Sequence, residues 1–300
     1  MLTGRKKNKN KLQDKKYLEF LETQRKLKEE YTAYLEILRK PRFTSPHDVT
    51  SRDGFIDVGF ILINLLKTSR FGAKTKYKIN RTFKSMLTYS RGESLHFIVI
   101  TDDSSLQLVG NFFAQFISRR VSEDVINKPG WRKRFIKGVP KIDFSFVRLE
   151  DIKNVNPQFV TILKMNTEAK DDETIDKYSS DLFYVGPIFH EAFKQLNKLL
   201  VIDVTDLEFF DNLSDLYKQF ENFDEELIGV GVDASPHYRK FLENYLRDHP
   251  SSPLGLPGSS QGLNTGVVLY RLDNMRKNKL YQVRNPKFIR LILFQHEGHK

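Results

Sequence analysis

The segment Lys198–Phe209, KLLVIDVTDLEF, is a short apolar run that ends in two carboxylates, Asp203 and Asp206. The run reads as a buried strand, and open α/β sheets bind their ligands beyond the carboxyl ends of strands. Two acids at that place suit a hard divalent cation, which takes oxygen ligands and can bridge a substrate diphosphate. Such a cation acts as a Lewis acid on a departing nucleoside diphosphate. A plainer reading is also open, in which both aspartates cap a helix at 213–222 or lie in a solvated turn. A second segment, residues 255–275 (GLPGSSQGLNTGVVLYRLDNM), is a Pro/Gly loop that runs into an apolar strand. Asn264 would present its amide at the strand entrance, while Gly262 and Gly266 allow close backbone approach. By itself this is equally an ordinary turn before an edge strand.

These residues need a scaffold, and the hydrophobic pattern supplies an α/β one. An apolar run at Ile56–Leu66 reads as a first strand, followed by a Lys-rich loop and a helix at about 77–90. Leu95–Ile100 reads as a second strand ending in TDDSS, Ser104–Ile117 as an amphipathic helix, and Lys141–Leu149 as a third strand. This β-α-β-α-β rhythm predicts a mostly parallel sheet covered by helices. Further on, 178–197 reads as helical, and Leu199–Ile202, Leu227–Val232 and Leu263–Leu272 read as strands. Residues 17–40 have helical spacing behind a charged run at 5–16, and Pro41 and Pro46 separate them from the rest. The expected division is a basic, helical stalk at 1–50 and one catalytic-type domain at 51–300.

Taken together and in this order, the two segments resemble glycosyltransferase family 8. In that family a strand ending in a DxD motif precedes an (F/L)N(S/T/A)GV motif, matched here by LNTGV at 263–267. The intervening FFDNLSDLYKQFENFDEELIGVGVDASPHYRKFLENY and the upstream YSSDLFYVGPIFHEAFKQLNKLLVID look most like the xyloside alpha-1,3-xylosyltransferases. The resemblance covers about 55–299 and is specific at 180–275. It implies a GT-A-type, Rossmann-like nucleotide-sugar-binding fold and retaining transfer of xylose from a UDP-sugar donor. It also implies a glycosylated EGF-repeat protein as acceptor, Mn2+ at Asp203 and Asp206, and work in the lumen of the endoplasmic reticulum. Asn64, Lys67, Thr68 and Thr205 would contact the nucleotide sugar, and Gln261, Gly262, Leu263 and Asn264 the donor or acceptor.

The acidic motif departs from the family pattern. Counted from Lys198, Asp203 takes the first acidic position, and Thr205, or Asp206 after a one-residue insertion, takes the second. Counted back from LEF, Asp206 is the second acid and Val204 stands in the first place. The family continues into LGDQD, whose Gln lies near the reacting centre, and into a late HG…K segment that supplies a His metal ligand. This chain ends at Lys300, before both, so an incomplete C-terminus is expected; His296 and His299 do not hold those positions. The resemblance implies no side-chain nucleophile, which leaves electrostatic and positional catalysis.

Charge argues against one rival. The formal net charge is +11, but 1–40 and 271–300 each carry +6, and the middle, 41–270, carries −1. A domain that gripped duplex nucleic acid would carry its own basic face. No nucleic-acid partner is expected for the folded middle, although an RNA- or membrane-surface binder working through 1–40 stays open. So do a catalytically dead transferase-like scaffold and a related transferase using UDP-glucose. There is no cysteine, which excludes disulfides and thiolate sites. The longest apolar run, Phe55–Leu66, contains Asp57 and Asn64 and is too short to span a bilayer, so membrane attachment would need an anchor outside this chain. Two sequons, at Asn80 and Asn212, are compatible with a lumenal location.

Overall fold

The computed structural model describes residues 34–65, 73–90, 93–126, 141–161, 185–205, 207–233 and 262–279, with a few further single positions. The chain forms two compact units, one made of 1–41 with 107–128, the other of 42–106 with 129–300.

The larger unit is built on a six-stranded sheet in the order β3-β2-β1-β4-β6-β5. The strands are β1 (Phe55–Leu62), β2 (Ser94–Thr101), β3 (Lys141–Arg148), β4 (Lys198–Ile202), β5 (Ile228–Asp233) and β6 (Gly262–Arg271). The first four are mutually parallel, and β6 runs antiparallel to both β4 and β5. The expected mostly parallel sheet is therefore present. From β1 the chain adds β2 and then β3 on one side, and afterwards crosses to place β4 on the other side. That reversal creates a crevice at the carboxyl ends of β1 and β4, the position at which doubly wound sheets bind ligands.

Strand alternation explains how both sheet faces are filled. Val58, Phe60, Phe97, Leu200 and Ile202 face the helix α2 (Ala73–Tyr89), which buries Ile79, Phe83 and Met86. Phe60, Phe83 and Phe97 meet edge to face, with centroids 5.0–5.7 Å apart, a favoured geometry for aromatic quadrupoles. On the other face Ile98, Ile100, Val147, Leu199 and Val201 form one cluster with Phe189, Phe193 and Tyr270. Gly59 belongs to this face; a Cβ there would touch the Leu199 and Val201 side chains at 3.4 Å.

The helical expectation for 178–197 holds only in part. Its described portion is a 3-10 turn, Gly186–Ile188, then a four-residue helix, Phe189–Ala192, then a turn into β4. Pro187 has no N–H to continue an α-helical ladder from before it. The carbonyls at the helix end are taken up instead by Arg276, which donates to His190, Phe193 and Leu196. Residues 213–222 likewise divide, into an α-helical Leu213–Tyr217 and a 3-10 Lys218–Asn222.

In the smaller unit, residues 34–39 form the helix α1 and 107–126 belong to the helix α3 (Leu106–Ile126). The two lie in close contact: a Cβ on Gly110 would stand 2.3 Å from the Leu38 carbonyl oxygen. The Gln107 side chain also donates to the Arg39 carbonyl at 2.6 Å. No described helix is long and apolar enough to cross a membrane.

Candidate functional site

Of the residues singled out by type and spacing, Asp203, Thr205 and Asn264 are brought together at the carboxyl end of β4. Asp203 follows the last residue of β4, and its backbone N–H donates to the Gly266 carbonyl at 2.8 Å. The Gly266 N–H in turn donates to Asn264 Oδ1, also at 2.8 Å. The acidic segment and the LNTG segment are thus joined through the two backbone groups of one glycine. A Cβ at 266 would crowd Asn264 Oδ1 at 3.0 Å, so the small residue matters there.

A register shift brings this about. On β5, Val230 pairs with Val268 but the next residue, Gly231, pairs with Asn264, which leaves 265–267 out of the β5 ladder. Such an irregularity bends and twists a strand and re-aims its side chains. On the opposite side Val267 still pairs with Ile202, and the ladder extends to the Asp203–Gly266 bond.

Asp203 is exposed, whereas Val204 beside it is buried. Asp203 Oδ1 accepts from the Thr205 N–H at 2.9 Å and the Thr205 hydroxyl at 2.7 Å. The strand tip is therefore fixed by a local turn while the carboxylate keeps its face to solvent. Asp203 does not cap the helix at 213; Asn212 does, accepting from the Ser214 N–H at 3.2 Å. Asp206, Lys67, Thr68, Gln261, His296 and His299 lie outside the described residues, and for Gly262 and Leu263 only the backbone is described, as the start of β6.

Across the crevice, Asn64 follows β1 and holds φ at 55°, the left-handed region that Asn tolerates better than most residues. Its N–H donates to Asp102 Oδ2, and the following Leu65 N–H donates to Ser105 Oγ at 3.0 Å. Asp102 caps the end of β2 and organises this corner. It also accepts from the Ser105 N–H at 2.9 Å, from the Ser105 hydroxyl at 3.0 Å and from the Ser104 hydroxyl. Burial pushes the Asp102 carboxyl up, but the hydrogen bonds from Ser104, Asn64 and Ser105 outweigh it and hold the group below the usual carboxylate range. Asp102 was not among the candidate site residues. Its signal was the TDDSS at the strand end, an acid followed by two hydroxyls that reads as a turn.

Among the described residues, no group of three or more His, Cys, Asp or Glu is gathered to hold a metal ion. The described residues offer one exposed carboxylate at the tip of β4, that of Asp203.

Comparison with known proteins agrees with this geometry. No family model matches the chain. Xyloside xylosyltransferase 1 of Mus musculus is 29% identical over 108 residues, which span 35% of this chain and 27% of that protein. The xylosyl- and glucuronyltransferase LARGE2s of Gallus gallus is 25% identical over 198 residues, 65% of this chain and 21% of that protein. The matched stretches thus span about a quarter of these curated relatives. The crystal structure of mouse xyloside xylosyltransferase 1 in its apo form superposes with a TM-score of 0.59 at 18% identity, covering 82% of this chain and 77% of that one. The chain is related to the xyloside xylosyltransferases of glycosyltransferase family 8, and its sheet is the GT-A α/β fold.

Proposed function

We propose that this chain is a retaining, cation-dependent UDP-sugar glycosyltransferase that moves xylose from UDP-xylose to a xylosyl-glucose glycan on EGF repeats, in the lumen of the endoplasmic reticulum. The observation that carries the reading is the Asp203–Gly266–Asn264 junction at the β1/β4 crevice. In this reading the Asp203 carboxylate and the Asn264 amide form one rim of a ligand-binding edge, and Asn64 belongs to the other.

In this reading Asp203, with Asp206, would hold a divalent cation, Mn2+, which would supply Lewis-acid neutralisation of diphosphate charge. Asn64, Lys67 and Thr68 meet the nucleotide, and Asp102 keeps the Asn64 backbone in its left-handed turn. Thr205 braces Asp203 and so aims it. Asn264, with Gln261, Gly262 and Leu263, orients the sugar and the acceptor hydroxyl. That hydroxyl attacks on the face from which the diphosphate departs and loses its proton to it. No side-chain nucleophile is required; positioned dipoles supply the stabilisation.

The decisive assay is transfer from a panel of UDP-xylose, UDP-glucuronate and UDP-glucose to xylosyl-glucose acceptors, with Mn2+ and with chelator. Cation-dependent transfer from UDP-xylose supports the reading. Preference for UDP-glucuronate would move the assignment toward the LARGE-type relatives, to which similarity extends over 65% of the chain. UDP-induced stabilisation with no transfer would mark a dead scaffold. The two sequons carry little weight on location. Thr82 of the first is fully buried on α2, and Asn212 of the second serves as a helix cap.

A further inference from the structure

We infer that α2 is a positioning element for the acidic loop, acting through Thr82, Ser85 and Arg81; the inference rests on the cation-binding reading of Asp203 and Asp206. Three consecutive residues just beyond that pair are each tied to this helix. The Thr82 hydroxyl donates to the Leu207 carbonyl at 2.5 Å. The Arg81 guanidinium meets the Glu208 carboxylate. The Phe209 N–H donates to Ser85 Oγ at 2.9 Å, and that hydroxyl donates onward to the Thr82 carbonyl at 2.9 Å.

The two hydroxyls are unusual for a helix interior. A helical Thr ordinarily returns its hydroxyl to the carbonyl four residues back. Here the Lys78 carbonyl is 3.3 Å away, while the Leu207 carbonyl is much nearer. Thr82 is fully buried and Ser85 is 8% exposed, so water does not compete for either bond. The exposed Arg81–Glu208 pair is screened and adds orientation more than energy.

Upstream, the loop is pinned by the Asp203–Gly266 backbone bond and by buried Val204. The acidic loop is therefore tied at both sides, to the sheet through Asp203 and to α2 through Leu207. The helix itself begins at Ala73, shortly after Lys67 and Thr68 in the chain. One helix thus anchors the acidic loop at three consecutive residues.

The test uses the full chain and the variants Thr82→Val, Thr82→Ser and Ser85→Ala. Each is titrated with MnCl2 at fixed UDP, with the UDP-induced rise in Tm as readout, and each is titrated with UDP in chelator. Thr82→Val keeps the side-chain shape and removes one hydrogen bond. It should raise the Mn2+ half-point about five-fold, leave UDP affinity in chelator unchanged, and be reversed by Thr82→Ser. Ser85→Ala should raise the half-point about three-fold, and it carries the test with the same outcomes if Thr82→Val does not fold. A lower Tm with an unshifted half-point in both Thr82→Val and Ser85→Ala would mark the hydroxyls as ordinary fold-stabilising groups and overturn the inference alone. A wild-type chain indifferent to Mn2+ and UDP together would overturn the reading of the site along with it.

Discussion

The two ends of the parallel strands use similar side chains for opposite purposes. Toward the amino ends, Asp57 of β1 and His96 of β2 form a linear network with Ser145 from the middle of β3. His96 Nδ1 donates to Asp57 Oδ1 at 2.7 Å, and Nε2 pairs with Ser145 Oγ at 2.8 Å. Ser51 donates to the other Asp57 oxygen at 2.6 Å. The order of groups is that of a hydrolytic triad, but Asp57 is 1% and His96 2% exposed, so the acid and the imidazole are both closed off from solvent. The network stitches three strands together. At the carboxyl ends, Asp203 and Asn264 are exposed, and each uses one side-chain oxygen on backbone within two residues of itself. A polar group that satisfies itself locally fixes its own direction and still offers a face to a ligand. Burial and partner choice, more than residue type, separate a structural acid from a functional one.

Mutation breaks the comparison most sharply at the amino end. Asp57→Ala leaves the buried His96 without its acceptor and should cost about 3 kcal/mol of folding stability, measured by urea unfolding. Activity per folded molecule should not change. Equal loss of UDP binding would show that the two ends are not separate.

Asp102 lies between these extremes, partly buried and charged. Its folded-state pKa is below its unfolded value, so its stabilisation is complete above the ordinary carboxylate range and disappears as pH falls through the folded value. The wild-type advantage over Asp102→Asn should be about 1–2 kcal/mol near neutrality, after allowance for solvent screening, and should shrink below about pH 4. Urea melts at several pH values check this; an advantage that grows on acidification would contradict it.

Asn264→Ala should lower kcat/KM about ten-fold, by removing both a substrate contact and the acceptor for the Gly266 N–H. Thermal stability should change little, because the site is exposed. The smallest effect is expected at Asn64. Asn64→Gly relieves a left-handed backbone at the cost of unfolded-state entropy, so stability should move by less than about 1 kcal/mol while UDP binding weakens.

Much of this was legible in the chain. β2 and β3 fall within a residue of the stretches that predicted them, because the buried β2 reads as a continuous apolar run and the edge strand β3 alternates apolar and polar residues. β1 ends at Leu62 and not at Leu66, since the left-handed turn at Asn64 takes the chain out of the sheet. The joining of Asp203 to Asn264 was expected only from family order, and the geometry supplies its cause in the register shift at Val230/Gly231. The Thr82 and Ser85 clamp left no local pattern, because its partners stand at 207 and 209, far along the chain. Asp102 was visible as a turn, but which loop it would anchor depends on the β1–β2 pairing.

The most direct measurement is calorimetric titration of UDP into the full chain and into Asp203→Asn, each with Mn2+ and with chelator. The expected result is a wild-type affinity at least about ten-fold higher with Mn2+, with that increment lost in the variant and the cation-free affinity the same in both. UDP affinity indifferent to Mn2+ in the wild type, or an increment that survives in Asp203→Asn, would contradict the claim that the β4 tip holds the cation beneath the diphosphate.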